Sequence, residues 1–536
     1  MTDTVRPRKQ RWAIHAGALI AGAAVGLGFA PVNWWPLVPA GVAGMVLTSL
    51  DAKPRTALWR GYLFGAGMCA VAFRWVAGAL GVGELAALVA WLAVWYALVG
   101  LVIGLARRTP AWGAAGIAVW MAGEWACARW PLGGFGWGRL AYTAFGTPFA
   151  PLFPLISATG VSVLVVTSGF LLAWVVRTAL ARPKWLRLVT PVGLSLCFFL
   201  GSTGAALAAR PYDPPANPGS GRSEMTVAVV QGNVPGKGIN ALGPIYTMEN
   251  NHLSATILLA AKIATGKAPE PDFVVWPENS TATDPLTNTK TAGIVNLAQD
   301  LVGTPILVGA ITMGPGEDQR QTAGLWWTPQ GVTATYHKRN LVPFGEWVPW
   351  KSVLVKLVPD LAYVGRQSVA GDTPGVLRVS AGGSPLRVGD MICFDVAYDK
   401  TFDEMITGDA TTGGGAQVVV VQTSNAMFTG TDQMAQQARI TSIRALEARR
   451  EILIATTNSS AGLLDSRGNV VYASQMRHWD AQVFTVPLRT QITPAVALRG
   501  WFDLASVAVP MLGALVALAW RVRRGPGHAI LVREAE

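Results

Sequence analysis

The sequence predicts two joined fold classes: a multi-span α-helical membrane domain of about eight transmembrane helices, and an extracytoplasmic α/β domain. Three observations predict it. The chain of 536 residues is 51% hydrophobic and only 14% charged, with a mean hydropathy of +0.36, far from the composition of an ordinary soluble protein. Apolar runs near the roughly 20 residues that cross a bilayer crowd the first 208 positions and recur once at the end. Between them, from residue 225, the pattern changes to short β-branched runs alternating with helical stretches.

The apolar runs fall at 12–30, 35–50, 61–81, 85–106, 111–128, 151–176, 188–208 and 502–520, with 35–50 the shortest. Arg6, Arg8, Lys9 and Arg11 before the first run resemble the head of a secretory signal, but Gly28-Phe29-Ala30 is a poor cleavage site and further spans follow at once. The run is therefore read as an uncleaved first helix. Orientation follows from Lys and Arg in the loops. One set of segments carries Arg6, Arg8, Lys9, Arg11, then Lys53, Arg55, Arg60, then Arg107, Arg108, then Arg177, Arg182, Lys184, Arg187, and finally Arg521, Arg523, Arg524, Arg533. The alternate set carries Arg74, Arg129 and Arg139. Both termini are thus expected in the cytoplasm and the block from about 209 to 500 outside it. The net charge of +12 is largely this asymmetry, so no nucleic-acid partner is implied.

Taken in order, 1–208 is a membrane domain of seven spans, 209–224 a Pro/Gly/Ser linker, 225–498 the extracytoplasmic α/β domain, 499–522 a last transmembrane helix and 523–536 a cytoplasmic tail. Trp34, Trp35, Trp75, Trp125, Trp130 and Trp137 lie near span ends, where indole anchors at the interface. Arg74 and Glu124 are ionisable groups within or beside spans, where mutual pairing or snorkelling competes with a direct role. The Gly- and aromatic-rich loop 131–147 is a candidate lining for lipid access. In the α/β domain, strands are expected at 225–232, 272–277, 305–312, 324–328, 332–337, 386–393, 416–423, 452–458 and 482–487, and helices near 246–265, 289–302, 398–408 and 431–449.

Cys69, Cys127 and Cys197 lie inside apolar runs, which leaves Cys393 as the one thiol of the polar block and excludes a disulfide framework there. A lone thiol outside the cytoplasm is an oxidation liability unless it has a task. Buried as a small hydrophobe, it would need none. Glu278 in VVWPENS, Lys338 in TYHKRNLVPFGEWVP and Cys393 in MICFD each stand at or just after an expected strand end, the edge where open α/β folds build their sites. A thiol needs a base, and an anionic intermediate needs a fixed donor or cation. Singly, Glu278 reads equally as a cap and Lys338 as a solvated charge. No Cys/His ligand spacing suggests a metal, the five His are scattered, and no Gly-x-Ser-x-Gly elbow is present.

The order WPE, then HK-x-x-LVPFGE, then a Cys at a strand end resembles the carbon–nitrogen hydrolase (nitrilase) superfamily. Fusion to membrane spans on both sides narrows the resemblance to the apolipoprotein N-acyltransferase family. VVQGNVP at 229–235, ENS at 278–280, LVPFGEWVP at 341–349, ICFD at 392–395 and SNAMF at 424–428 keep that family's order, and EWACARWPLGGFGWGRLAY at 124–142 is similar to its membrane motif. The resemblance implies an αββα nitrilase-like sandwich with Cys393 as nucleophile, Glu278 as general base and Lys338 as oxyanion stabiliser. Glu346 matches a second essential acid, and Asp395 and Phe394 stand where the family usually has Glu and often Tyr. The arm after QGNVP lacks an expected Trp. These departures bear on arm geometry and lipid preference.

The activity so implied moves an acyl chain from a membrane phospholipid to the amine of the diacylglyceryl-cysteine that begins a bacterial lipoprotein. No cofactor or metal enters it, and the enzyme is expected as a monomer in the inner membrane. A membrane-tethered amidase with water as acceptor and a catalytically silent lipoprotein scaffold are the competing readings. Phe344, Trp347 and Trp350 open an apolar stretch beside Lys338, which reads either as core or as a lid guiding acyl chains.

Overall fold

A computed structural model describes residues 7–181, 186–216, 222–236 and 243–523, so the expected tail from 524 and part of the 209–224 linker lie outside the described residues. The chain divides into two compact units, one of residues 1–212 with 498–536 and the other of residues 213–497.

The first unit is helical: α1 (Arg8–Gly26), α2 (Leu37–Leu50), α3 (Pro54–Ala72), α4 (Trp75–Ala79), α5 (Val82–Ala106), α6 (Trp112–Cys127), α7 (Phe153–Leu180), α8 (Leu186–Ala209) and, after the second unit, the helix Arg499–Arg523. Among the described residues, four helical stretches, Val82–Ala106, Ala150–Leu180, Leu186–Ala209 and Arg499–Ala519, are long and apolar enough to cross a membrane. The apolar run expected at 61–81 is not one helix. It begins earlier, at Pro54, whose fixed φ suits a first helical turn, and breaks at Phe73 and Arg74. α7 is likewise interrupted at Ser157, whose φ of 60° is not helical.

Small residues let these helices approach closely. A Cβ on Gly61 of α3 would lie 2.3 Å from the Tyr96 carbonyl of α5, and one on Gly100 of α5 would lie 2.3 Å from the Ala57 carbonyl of α3. Several polar groups inside the unit are paired, as a low-dielectric setting favours. Asp503 of the last helix accepts from Arg129 at 2.8 Å and Thr159 at 2.6 Å, while Glu124 accepts the Leu140 N–H at 3.1 Å. That bond folds much of the 131–147 loop into the unit, where Leu140, Ala141 and Tyr142 are buried. Trp137, expected as an interface anchor, is buried too, its ring 6.2 Å from that of Trp75. Trp34, Trp35, Trp125 and Trp130 are exposed.

The second unit is a two-sheet sandwich. Its elements run β1 (Glu224–Gln231), α9 (Thr247–Ala264), β2 (Phe273–Val275), α10 (Thr289–Val302), β3 (Ile306–Met313), β4 (Gln319–Thr328), β5 (Gly331–His337), α11 (Lys351–Leu357), β6 (Gln367–Ser368), β7 (Val376–Ala381), β8 (Ser384–Ile392), α12 (Asp399–Thr407), β9 (Val418–Thr423), α13 (Gln433–Ala448), β10 (Ile452–Thr456), β11 (Gly462–Leu464), β12 (Val470–Ala473), β13 (Asp480–Pro487) and α14 (Pro494–Ala497); the helix Arg499–Arg523 is then α15. One sheet has the order β13-β1-β2-β3-β4-β5, with β6 beside β4, and the other β12-β11-β10-β9-β8-β7. β1, β2 and β3 are parallel, as are β8, β9 and β10.

The period of two along each strand sorts side chains between two cores. On β1, Val227 and Val229 join Phe273, Leu307, Trp326, Val388, Ile392, Val420 and Leu453 between the sheets. Ala228 and Val230 turn outward to meet Ala255 and Leu259 of α9 and Val295 and Ala298 of α10. α12 and α13 bury Phe402, Met405, Ile440 and Ile443, and α12 packs on β8 where Met405 lies over Gly389. Both faces of the central strands are thus covered, which is why they read as near-continuous apolar runs.

Candidate active site

The C-terminal edges of β2, β5, β8 and β9 converge on one buried polar cluster. β2 is followed by Trp276-Pro277-Glu278, and Glu278 is 3% exposed. Its Oε1 accepts from Lys338 Nζ at 3.0 Å and its Oε2 accepts the Ser424 N–H at 2.6 Å. Lys338 follows directly on β5 and is 2% exposed. It donates a second bond, at 2.9 Å, to Glu346 Oε1, whose other oxygen accepts the Val342 N–H at 2.7 Å. Cys393 opens a 3-10 turn, Cys393–Ala397, at the end of β8. Its φ of 51° lies in the left-handed region that a non-glycine residue adopts only under constraint, and such strain gathers at functional sites.

Asp395 and Phe394 stand within that turn. Asp395 accepts from the Tyr336 hydroxyl at 2.8 Å, the Asn340 N–H at 2.8 Å and the Ile392 N–H at 3.2 Å. It therefore joins the segment after Lys338 to the residue before Cys393. The Phe394 ring meets Tyr398 edge-on at 5.2 Å.

The electrostatics follow from one ammonium shared among several buried carboxyls. Burial works against the Lys338 charge, but Glu278, Glu346 and Cys393 outweigh it and hold the ammonium well above its usual range. Burial pushes Glu278 up; Lys338 and the Ser424 N–H oppose the rise, Glu346 adds to it, and burial prevails, so the carboxyl stays raised. The Cys393 thiol is pushed up to about 12 by burial and then by Glu278, with Lys338 and a hydrogen bond to the Thr423 side chain acting against them. Burial lifts Asp395 to about 6 despite Lys338 and its N–H donors. The resting arrangement is a neutral thiol within electrostatic reach of Glu278 and a fixed cation. Among the described residues no group of three or more His, Cys, Asp or Glu is placed to hold a metal ion.

The model of the apolipoprotein N-acyltransferase N-terminal domain matches residues 21–171, inside the helical unit. An apolipoprotein N-acyltransferase of Mycolicibacterium smegmatis is 29% identical over 95% of this chain and 85% of its own. Those of Azotobacter vinelandii and Pseudomonas putida are 29% and 27% identical, over 97% and 94% of this chain and 99% and 97% of theirs. Over nearly its whole length the chain is similar to apolipoprotein N-acyltransferases. A CN-hydrolase superfamily protein of Xanthomonas campestris matches 54% of this chain and 97% of its own at 15% identity and a TM-score of 0.34.

In this chain, Glu278, Lys338 and Glu346 are joined directly, and Cys393 lies within their electrostatic reach. The residues named for lipid access separate. Phe344 packs against a small cluster of Val348, Leu361 and Val364, and Trp347 is half-buried, whereas Trp350 is 71% exposed. Arg74 and Glu124 belong to the helical unit, Glu124 as the acceptor of the Leu140 N–H. Residue-by-residue reading missed Ser424 as a main-chain donor and Tyr336 and Asn340 as holders of Asp395. SNAMF in the sequence marks the first; nothing in the sequence marks the other two.

Proposed function

We propose that the chain transfers an acyl group from a membrane phospholipid to the α-amine of the diacylglyceryl-cysteine that begins a bacterial apolipoprotein, by way of a thioester on Cys393. The observation that carries this reading is the buried Glu278–Lys338–Glu346 cluster beside a strained cysteine, in a chain whose full-length relatives are named apolipoprotein N-acyltransferases.

The protonation energetics dictate the order of events. With the thiol at about 12, forming a free thiolate at neutral pH would cost about 7 kcal/mol. Proton transfer from Cys393 Sγ to Glu278 is therefore coupled to attack on the ester carbonyl rather than preceding it. The S–C bond forms, the carbonyl π pair moves to oxygen, and Lys338 Nζ stabilises that oxyanion while keeping its proton. Collapse expels the lysophospholipid alkoxide, which takes the proton from Glu278. In the second half, the lipoprotein amine attacks the thioester, Glu278 accepts an amine proton, and the thiol leaves with it. The amide product is released and the cluster is restored. Glu346 holds Lys338 from the far side, so the ammonium is not drawn entirely onto the base.

In the same reading eight helices of the first unit, all but the five-residue α4, span the inner membrane, both termini are cytoplasmic, and residues 213–497 face the periplasm as a monomer's catalytic domain. Trp350, Val353 and Leu357 recur at the spacing of one helix face and are 71%, 57% and 71% exposed, an uncovered apolar stripe that suits contact with the outer leaflet. Incubating the detergent-purified protein with phospholipid labelled in one acyl chain tests the reading. Label on the Cys393 peptide, released by hydroxylamine and transferred to a diacylglyceryl-cysteine peptide, is the expected result. Label reaching water but never the amine would overturn it in favour of a hydrolase.

A further inference from the structure

A fourth carboxyl, Asp390, lies three residues before Cys393 on β8, fully buried, and neither of its oxygens has a hydrogen-bond partner. Beside it, two residues along the neighbouring parallel strand from its register partner Val420, stands Gln422. The Gln422 Nε2 donates across to the first sheet, to the Trp276 carbonyl at 2.6 Å and toward the Leu307 carbonyl at 3.4 Å. Two carbonyls require the nitrogen there, so the amide orientation is fixed and Oε1 must point the other way. That Oε1 is also buried without a partner. Both orphan groups crowd the space over Gly324 of β4: a Cβ there would sit 1.9 Å from Asp390 Oδ2 and 3.2 Å from Gln422 Oε1. A carboxylate and an amide oxygen, both acceptors, would leave three buried lone-pair groups unsatisfied at one point. A carboxylic acid supplies the missing donor.

We propose that Asp390 is kept as the neutral acid and donates its proton to Gln422 Oε1, so that Asp390 and Gln422 tie the strand of Cys393 to the turn that carries Glu278. The link runs from β8 through the β9 side chain to Trp276 O, two residues before Glu278. It spans both sheets at the point where nucleophile and base must keep register. The surroundings agree: burial first, then the neighbouring Asp395 and Glu278, drive the Asp390 acid well above the usual carboxylate range. Asp390 is a positioning residue. The inference rests on the reading of Glu278 as the base of Cys393.

The test uses the full-length protein in detergent with Asp390→Asn and Asp390→Leu. An asparagine retains an N–H donor for Oε1, whereas leucine fills the space without one. The infrared band of a protonated carboxyl should be present in the parent and absent in the Asn variant. Iodoacetamide labelling of Cys393, read by peptide mass across pH, should stay within about threefold in the Asn variant and keep its pH midpoint. In the Leu variant labelling should fall about tenfold or more and its midpoint rise, because Glu278 is no longer held. An Asn variant as impaired as the Leu variant, or one that retains the carboxyl band, would overturn the proposal, and the Asn and infrared arms stand if the Leu variant does not fold. Neither readout needs lipid. Failure of the parent to form a thioester from phospholipid would therefore count against the acyl-transfer reading and leave this tie to be judged separately.

Discussion

Replacing Lys338 by Met removes the one cation that the site's carboxyls share. Two charge-assisted bonds, at 3.0 Å to Glu278 and 2.9 Å to Glu346, disappear, and both acids lose that partner in a nearly water-free setting. Breaking a buried pair from one side costs about 3–5 kcal/mol. For a unit of the size of residues 213–497, at about 2 °C per kcal/mol, the unfolding midpoint near neutral pH should fall by about 6–10 °C. The loss should also acquire a pH dependence whose sign can be worked out. Without Lys338 the folded-state value of Glu278 rises further above its unfolded value, because the ammonium no longer opposes burial. A group raised in the folded state contributes stability below its unfolded value and loses it as pH rises through the folded one. The variant should therefore approach the parent's stability near pH 4 to 5 and fall away toward pH 8. Scanning calorimetry of the detergent-solubilised protein at those pH values reads the difference directly. A variant as stable as the parent at pH 8, or with no added slope between pH 5 and 8, would refute the view of Lys338 as the neutraliser of the cluster.

Cys393→Ser should fold normally and form no acyl-enzyme, since a serine hydroxyl is far harder to deprotonate; near-normal transfer to a lipoprotein peptide would contradict the assigned nucleophile. Asp395→Ala leaves the Tyr336 hydroxyl and the Asn340 and Ile392 N–H groups without their acceptor, a loss of about 3 kcal/mol or more in urea unfolding, together with slower Cys393 alkylation. Replacing Trp347 and Trp350 by Ser should weaken acylation from a long-chain phospholipid far more than from a short water-soluble ester, and equal losses on both donors would argue against a lid. A reporter fused after Gln10 or Arg524 should read cytoplasmic and one placed within 214–220 should read outside; a cytoplasmic signal from the latter would remove the lipoprotein from reach.

Local signals carried far in this sequence where chemistry is local. The α10 helix was legible to the residue because Asn288 accepts the Lys290 and Thr291 N–H groups at its start and Gly303, at φ 69°, closes its end. The buried parallel strands were visible as β-branched runs. β7, β11 and β12 were not: Arg378 and Ser380 break the apolar run of the first, and the other two span three and four residues. The break at Phe73 and Arg74 carries neither Pro nor Gly, so hydropathy passes over it. Motif order grouped Glu278, Lys338 and Cys393, yet no sequence pattern reveals that Asp390 and Gln422 meet over Gly324. That contact depends on how one sheet lies on the other, which no run of neighbours along the chain records.

The pairing of β1 with β13 has a mechanical consequence. The two strands are antiparallel, and Glu224, where β1 begins, is the register partner of Pro487, where β13 ends. The chain therefore enters and leaves the sandwich as adjacent strands at one corner, about 5 Å apart. A unit with that geometry behaves as a cassette: it can sit between two helices without requiring them to be far apart. Tension applied through those two connections would open the β1–β13 ladder rung by rung from the corner, as a zipper yields, instead of loading all eight pairs together. The first hydrogen bonds to give way would be those at the Glu224 and Pro487 end, while Gln231 and Asp480, at the other end of the ladder, would part last.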